Sequence, residues 1–427
     1  MPPHLSARCR AAGLLLPGLL AVMACRQPPG QGAATASPPR PPAGLTVGGS
    51  DAGPASDPAI SQAMAAGRWV VMATDAAGQR NRALQLDPAS GEWRELWVTS
   101  PLGNVTDWSP APDGRSVAYR IIQRSSPTDA IEALVVRDLA PGAPARVLTV
   151  VDASKERLAG FGWAPDGSSL GFGLQALAPE GSGKGAGWSL RSVTTAGGGK
   201  PSEDVSNPAD APEAQILWQA EAPPDQPLAL VLAAYDPERG RAVVSQLAAD
   251  SGIIASLRLI DLLERRESTT LSVTIAGLAP VAGVGTLALP EGAPLADRLL
   301  LLDLASGEAR ERLRLPPGGS LGRPLWSADG RLLAIAGYTD DADGGETAIL
   351  VLDPAATDAA PDRRWFVPGG GGAPLAFSPD SRWLLTQAGA ADEAFGSRLM
   401  LLPLAGGDPL VAPLTVPPGS WALSWLP

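Results

Sequence analysis

From residue 67 onward the chain reads as short apolar runs cut apart by Gly, Pro, Asp and Ser. Runs of roughly four to eight residues between turn residues predict β-strands, because helices need longer stretches of 3.6-residue period. One unit is written most clearly at Trp326-Ser327-Ala328-Asp329-Gly330-Arg331-Leu332-Leu333-Ala334-Ile335-Ala336. An aromatic residue closes one strand, an Asp-Gly turn follows, and a second strand begins. The unit recurs at Trp163-Ala164-Pro165-Asp166-Gly167 and Phe377-Ser378-Pro379-Asp380-Ser381, and with a longer turn at Trp108-Ser109-Pro110-Ala111-Pro112-Asp113-Gly114. Asp-Gly between apolar runs is a strong hairpin signal, since both residues tolerate positive φ.

Aligned on the closing aromatic, the units fall at Trp108, Trp163, Trp218, Trp326, Phe377 and Trp425. The interval from Trp218 to Trp326 is double the others and holds a hidden unit, with Leu278 in the aromatic place. The spacings are then 55, 55, 60, 48, 51 and 48 residues, which makes seven units. A second marker agrees: an apolar strand running into a turn at Asp87, Asp138, Asp261, Asp303, Asp353 and Leu404, and weakly at Val193. Those aspartates are read as turn formers that accept from nearby backbone N–H groups.

A repeat of about 50 residues with four short strands is a propeller blade. The expected fold is all-β, a seven-bladed β-propeller of four-stranded blades, here lettered A to D, with A ending at the aromatic. The propeller part opens on Trp69-Val70-Val71-Met72-Ala73 as a B strand and ends on Trp421-Ala422-Leu423-Ser424-Trp425-Leu426-Pro427 as an unpartnered A strand. The C-terminal strand is therefore expected to complete the first blade, and closing the ring removes an exposed sheet edge. The aromatic marks are read as core.

These units resemble the WD-like repeats of TolB-type propellers, which also occur in the propeller half of prolyl-oligopeptidase-like peptidases. The resemblance covers roughly residues 67–427 and implies the fold. The sequence shows neither the α/β domain of TolB nor a hydrolase domain, so neither activity is expected to carry over.

The first 24 residues carry Arg8 and Arg10 and then an apolar run, as a secretory signal does. Val22-Met23-Ala24-Cys25 resembles a bacterial lipobox, which implies acylation of Cys25 and a cell-envelope location, periplasmic or outer-surface. Residues 25–66 are expected to be a lipidated cysteine and a Pro/Gly/Ala-rich tether, too poor in large apolar groups to fold. Asp57-Pro58-Ala59-Ile60-Ser61-Gln62-Ala63-Met64-Ala65-Ala66-Gly67 predicts a two-turn helix, with Asp as N-cap and Pro at the first helical position.

Composition then narrows the chemistry. The only histidine is His4 and the only cysteines are Cys9 and Cys25, so the propeller has no imidazole and no thiol. Ser-His-Asp and Cys-His catalysis are excluded, and so are metal sites built on His or Cys. The net charge of −11 argues against nucleic acid as a partner. Gly318-Gly319-Ser320-Leu321-Gly322 has the spacing of a nucleophile elbow but lies in a Pro/Gly link with no histidine to serve it. Gly181-Ser182-Gly183-Lys184-Gly185 lacks the leading glycine and the Ser/Thr of a phosphate loop. Asp341, Asp343 and Gly344 match half of a calcium loop, with Thr339 and Leu350 where acidic ligands belong.

The B–C and D–A connections share one rim and are read as the long ones, among them 196–214 and 235–254. Long loops on a rigid scaffold usually carry the binding residues. The candidate face comprises Arg80, Arg82, Arg124, Asp129, Asp340, Asp341, Asp343, Asp392 and Glu393. The leading expectation is a monomeric, membrane-anchored binding or scaffold propeller, not an enzyme, without cofactor, that recognises a protein, peptide or glycan. The alternatives are a hydrolase or lactonase working with carboxylates or Ca²⁺, and an envelope assembly protein similar to TolB.

Overall fold

The structure is a computed structural model. It describes residues 58–75, 80–99, 103–126, 129–177, 187–195, 211–221, 229–248, 253–275, 281–282, 285–292, 295–339, 346–356, 361–366, 372–388, 399–411, 416–417 and 419–427. The described strands form seven antiparallel sheets, each a meander of neighbours in sequence except the first, and in blade 6 two short strands, Ser320–Leu321 and Leu325–Trp326, both pair with Leu333–Thr339. In blade 1 the last strand of the chain, Ser420–Leu426, pairs with Arg68–Thr74, which pairs with Asn81–Asp87 and then Glu92–Val98. Trp69 sits opposite Trp425 and Arg68 opposite Leu426. The ring therefore closes as the strand phase requires.

Alternation explains why the strands are apolar almost throughout. Successive side chains point to opposite faces, and both faces of a blade are covered by neighbouring blades. In strand Arg68–Thr74, Val70 and Met72 join the cluster shared with blade 2, while Trp69, Val71 and Ala73 join the one shared with blade 7. The same division holds round the ring, so the core is seven sandwiches between blades rather than one centre. The fourth strands alternate outward, as in Glu92–Val98 and Arg266–Ile275, and mark the outer edge. First strands of adjacent blades meet on the inside, with Ala229–Asp236 against Glu156–Trp163 and Gly372–Phe377 against Ser420–Leu426.

The expected helix forms as Pro58–Ala65. It is more than a spacer. Ala63 and Met64 are buried among Trp69, Val71, Trp383, Leu385 and Trp425, so the helix clips blades 7 and 1 together beside the closing strand.

One of the aromatic marks needs correction. Trp218 does not close a first strand; it lies in Gln215–Glu221, the outer fourth strand of blade 3, packed on Trp188 at 5.7 Å between ring centroids. The first strand of blade 4 is Ala229–Asp236, and Tyr235 holds the aromatic place, with its hydroxyl 2.8 Å from Ser192 Oγ. Its ring fits only because Gly171 lacks a side chain: a Cβ there would lie 2.4 Å from the Tyr235 ring. Leu278 lies outside the described residues, and the first strand of blade 5 is described as Val281–Ala282. The count of seven survives because one displaced mark was replaced by another in the same blade interval. The second marker held in every blade: Asp87, Asp138, Val193, Asp261 and Asp303 lie in the third strands, and Asp353 and Leu404 directly follow theirs.

Candidate functional site

The turn rim is built by the Asp of each unit. Asp113, Asp166, Asp329 and Asp380 each accept, at Oδ1, the backbone N–H two residues on, from Arg115, Ser168, Arg331 and Arg382 at 2.9 to 3.1 Å. The next residue takes positive φ, at 66° in Gly114, 71° in Gly167 and 68° in Gly330, which is why glycine is favoured there. Asp166 is held below the usual carboxylate range by the Ser168 backbone N–H and then by its hydroxyl. The tryptophans of these units tie blade to blade. Trp108 Nε1 donates to Ser424 Oγ of blade 1 at 3.3 Å, and Trp163 Nε1 donates to the Ser109 carbonyl of blade 2 at 2.9 Å.

Blades 1, 2 and 3 enclose two clefts on this rim. The larger, of 690 Å³, is lined by Arg68, Asp113, Arg115, Ser116, Asp138, Leu139, Ala140 and Pro427. The smaller, of 190 Å³, lies at the next junction and is lined by Ala111, Asp113, Ser116, Val136, Arg146, Trp163, Gly167 and Thr195. Asp113 and Ser116 line both, so the two adjoin at the blade 2 turn.

Arg68, the first residue of its strand, frames the larger cleft. Its guanidinium donates to the carbonyls of Pro427 at 3.3 Å, Leu139 at 3.4 Å and Gly114, joining the closing strand to blade 2. Asp138 differs from its counterparts in the other blades. Asp87, Asp261, Asp303 and Asp353 each accept a backbone N–H from their own turn, from Ala89, Leu263, Ala305 and Ala355. Asp138 accepts instead from Ser116 Oγ at 2.8 Å and Arg146 Nη2 at 3.4 Å, and its carboxylate is 56% exposed in the cleft. Arg146 is fixed in turn by donating to the Thr195 carbonyl at 2.6 Å. Two carboxylates, Asp113 and Asp138, thus share a concave site with the guanidinium of Arg115 exposed beside them.

A second charged cluster lies nearer the inner strands. Arg120 Nε is 2.7 Å from Asp107 Oδ2 and donates to Thr106 Oγ1, while Nη1 donates to the Leu158 carbonyl at 2.9 Å. Buried Glu132 accepts from the Leu158 N–H at 2.9 Å. This arrangement clamps blade 2 to blade 3 and is filled by its own partners.

The face expected from the sequence is described only in part. Arg80 and Arg82 sit at the start of strand Asn81–Asp87, and Arg124 lies exposed near the end of Ser116–Ser126; all three are on the B–C rim of blades 1 and 2. Asp129 begins strand Asp129–Asp138, and nothing is described of its side chain. Asp340, Asp341, Asp343, Asp392 and Glu393 lie outside the described residues, as do Cys25 and Gly181 to Gly185. Among the described residues no ion pair joins Arg80, Arg82 and Arg124. Two loops assigned to that rim belong elsewhere. The 196–214 segment links the third and fourth strands of blade 3 rather than a B–C or D–A pair, and its residues 196–210 lie outside the described ones; 235–254 contains the strand Arg241–Leu247. Gly318-Gly319-Ser320-Leu321-Gly322 runs into the strand Ser320–Leu321, which pairs with Leu333–Thr339, so it is no strand-to-helix elbow.

Sequence reasoning did not pick out Arg68, Asp113, Arg115, Ser116, Asp138, Arg146 or Thr195, and it read Trp163 as core only. Nothing in the sequence distinguishes Asp138 from the other turn aspartates. The difference arises from Ser116 and Arg146 on the two strands flanking its own.

No protein-family model matches the sequence, and no curated protein does. Solved structures do. The chain is similar to a prolyl endopeptidase from a study of inter-domain dynamics in catalysis and specificity, with 14% identity and a TM-score of 0.50 over 83% of this chain and 51% of that one. It is likewise similar to prolyl oligopeptidase B from Galerina marginata bound to a 35mer hydrolysis and macrocyclization substrate, with 9% identity and a TM-score of 0.52 over 84% and 52%. An oligogalacturonate lyase in complex with manganese matches at 14% identity and a TM-score of 0.48 over 81% and 85%. The chain thus spans about half the length of the two peptidases. The structural likeness to the two peptidases shows a shared propeller fold. It also corrects the expectation that the chain is not an enzyme: the same fold forms part of both peptidases, so it gives no ground for excluding catalysis.

Proposed function

We propose that the protein is a carboxylate-based hydrolase acting on glycans, with its reaction centre in the larger cleft between blades 1 and 2. The observation that carries this reading is Asp138, the turn carboxylate that is bound by flanking side chains and shares a concave site with a second carboxylate. With no imidazole or thiol in the propeller, Asp113 and Asp138 are the acid–base pair that this cleft offers. Glycoside hydrolysis needs two of them flanking the scissile bond. Asp138, oriented by Ser116 and Arg146, takes the part of base or nucleophile. Asp113 supplies the proton to the leaving oxygen, and Arg115 binds substrate hydroxyls or carboxylates.

The test is a screen of purified protein on linear oligosaccharides, aryl glycosides and lactones, followed by Asp138→Asn and Asp113→Asn. Each variant should lower kcat by about 10²–10⁴-fold, the range for loss of a general acid or base, with the melting curve little changed because Asn keeps an Oδ1 that accepts the same hydrogen bonds. Hydrolysis untouched by Asp138→Asn, or no hydrolysis of any substrate, would refute it.

The likeness to the two peptidases favours a second reading, in which the propeller handles a peptide for a hydrolase domain. It predicts peptide binding and no glycan turnover. In either case the propeller, of TolB-type repeat, is held in the cell envelope by lipid on Cys25. The Val22-Met23-Ala24-Cys25 sequence supports that location, and radiolabelled palmitate incorporated into wild type but not Cys25→Ser tests it.

A further inference from the structure

The smaller cleft lies one blade junction along the rim from the proposed reaction centre and adjoins it at Asp113 and Ser116. Its 190 Å³ is below the size of clefts that hold a whole ligand, which begin at about 300 Å³, and suits a single ring of a longer one. One wall is the half-buried indole of Trp163. That ring is held on its inner side by blade 2 and 3 core residues and pinned by its Nε1 bond to the Ser109 carbonyl, so it reaches the cleft already oriented. Arg146 and Thr195 line the cleft with it. Both have committed polar atoms: Arg146 donates to the Thr195 carbonyl, and Thr195 Oγ1 donates to the carbonyls of Gly167 and Ser168, each at 3.0 Å. A fixed aromatic wall beside a fixed polar one is what a ring with an apolar face and polar rim requires.

We infer that the cleft between blades 2 and 3 is a second sugar subsite, in which Trp163 stacks on one ring of a linear oligosaccharide whose neighbouring ring occupies the larger cleft. This rests on the hydrolase reading for the nature of the ligand and extends it to a chain-like substrate bound across a blade junction. Preorganisation of Trp163 by its interblade bond lowers the ordering cost of binding. Filling the subsite should tighten binding up to about tenfold.

The experiment uses the full chain carrying Asp138→Asn, so that ligand is not consumed, and titrates it with glucan, chitin and polyuronate oligomers from disaccharide to hexasaccharide. Labelling with 5-fluorotryptophan gives a ¹⁹F resonance for Trp163, assigned by its loss in Trp163→Phe. Affinity should rise up to about tenfold once the oligomer reaches the second cleft, and the Trp163 resonance should shift only with those longer ligands. Trp163→Ala should remove the gain with length; if that variant fails to fold, the resonance shift in the folded protein decides the matter. An unmoved Trp163 resonance at saturating hexasaccharide, or binding that does not depend on length, overturns the subsite. Length-dependent binding with the resonance shift, but no turnover by wild type, upholds the subsite and removes the hydrolase. Absence of binding by every oligomer overturns the subsite.

Discussion

Removing residues 421–427 takes away the strand that closes the ring, and its effect can be worked from the contacts. Trp425 is 6% exposed and stacks on fully buried Trp69 at 4.0 Å between ring centroids. Leu426, also 6% exposed, belongs to the cluster between blades 1 and 2. A buried Trp replaced by Ala costs about 3–5 kcal/mol and a buried Leu about 2–5. Those two side chains alone therefore approach the whole stability of an ordinary domain, about 5–15 kcal/mol. The truncation also leaves the edge of strand Arg68–Thr74 unpaired and deprives Trp108 Nε1 and Arg68 of acceptors on Ser424 and Pro427. The assay is urea unfolding followed by both far-UV circular dichroism and tryptophan fluorescence. The full chain should give coincident transitions; the truncated chain should unfold at lower urea, with a smaller m-value and separated transitions. A truncated protein with the same midpoint and coincident probes would refute ring closure as the source of cooperativity. Trp425→Phe is the control. It keeps a packed ring and removes a buried indole N–H that has no acceptor among the described residues, so it should cost much less than Trp425→Ala.

Met64→Ala should lower stability by about 2 kcal/mol, at the low end for a buried methionine because the helix sits at the margin of the fold; protease nicking near residue 67, read on a gel, should accelerate in parallel. Gly173→Ala should destabilise by about 1–3 kcal/mol or more. Its Cβ would lie 2.3 Å from the Trp188 ring and 2.6 Å from the Ala159 carbonyl, and differential scanning calorimetry would show the loss. Asp152 is held at about 2, first by its bond from Lys155 and then by Ser154. Asp87, Asp261 and Asp303 are held low chiefly by turn N–H groups of Ala89, Glu264 and Ser306. A carboxylate whose value is depressed on folding stabilises fully above its unfolded value of 3.8 and loses that contribution as pH falls toward about 2. Tm should therefore be level down to about pH 4 and fall below it, with a shallower fall in Asp152→Asn; a Tm unchanged by acid would contradict the turn assignments.

The periodic part of the fold was legible because it repeats. Seven third strands ending in a turn, and closing aromatics at Trp108, Trp163, Trp326, Phe377 and Trp425, gave blade number and phase from spacing alone. The misreading of Trp218 shows where spacing stops working. Blade 3 carries a long link between its third and fourth strands, and a tryptophan buried in an outer strand looks the same in sequence as one ending an inner strand. The better signal was present in Tyr235-Asp236-Pro237-Glu238-Arg239-Gly240, an aromatic followed by a turn with Gly240 at φ 64°. The clefts had no such signal. The walls of the larger come from Arg68, Asp113, Arg115, Ser116, Asp138 to Ala140 and Pro427, segments far apart along the chain.

By itself, then, the sequence determined the all-β class, the seven blades, the closure of the first blade by the last strand and the absence of imidazole and thiol chemistry from the propeller. Each follows from local pattern or from composition, which survive without knowledge of what lies next to what. Only the tertiary structure decided which strand Trp218 belongs to, that the short helix clips the seam, and that Asp138 is held by Ser116 and Arg146 rather than by its turn. These depend on which blade surfaces meet, and contacts between blades are set by the closed ring rather than by any one repeat. The turn of the repeat unit is the plainest case: its Asp and Gly are written for local geometry, and ring closure brings one copy, at Asp113, to the edge of the site.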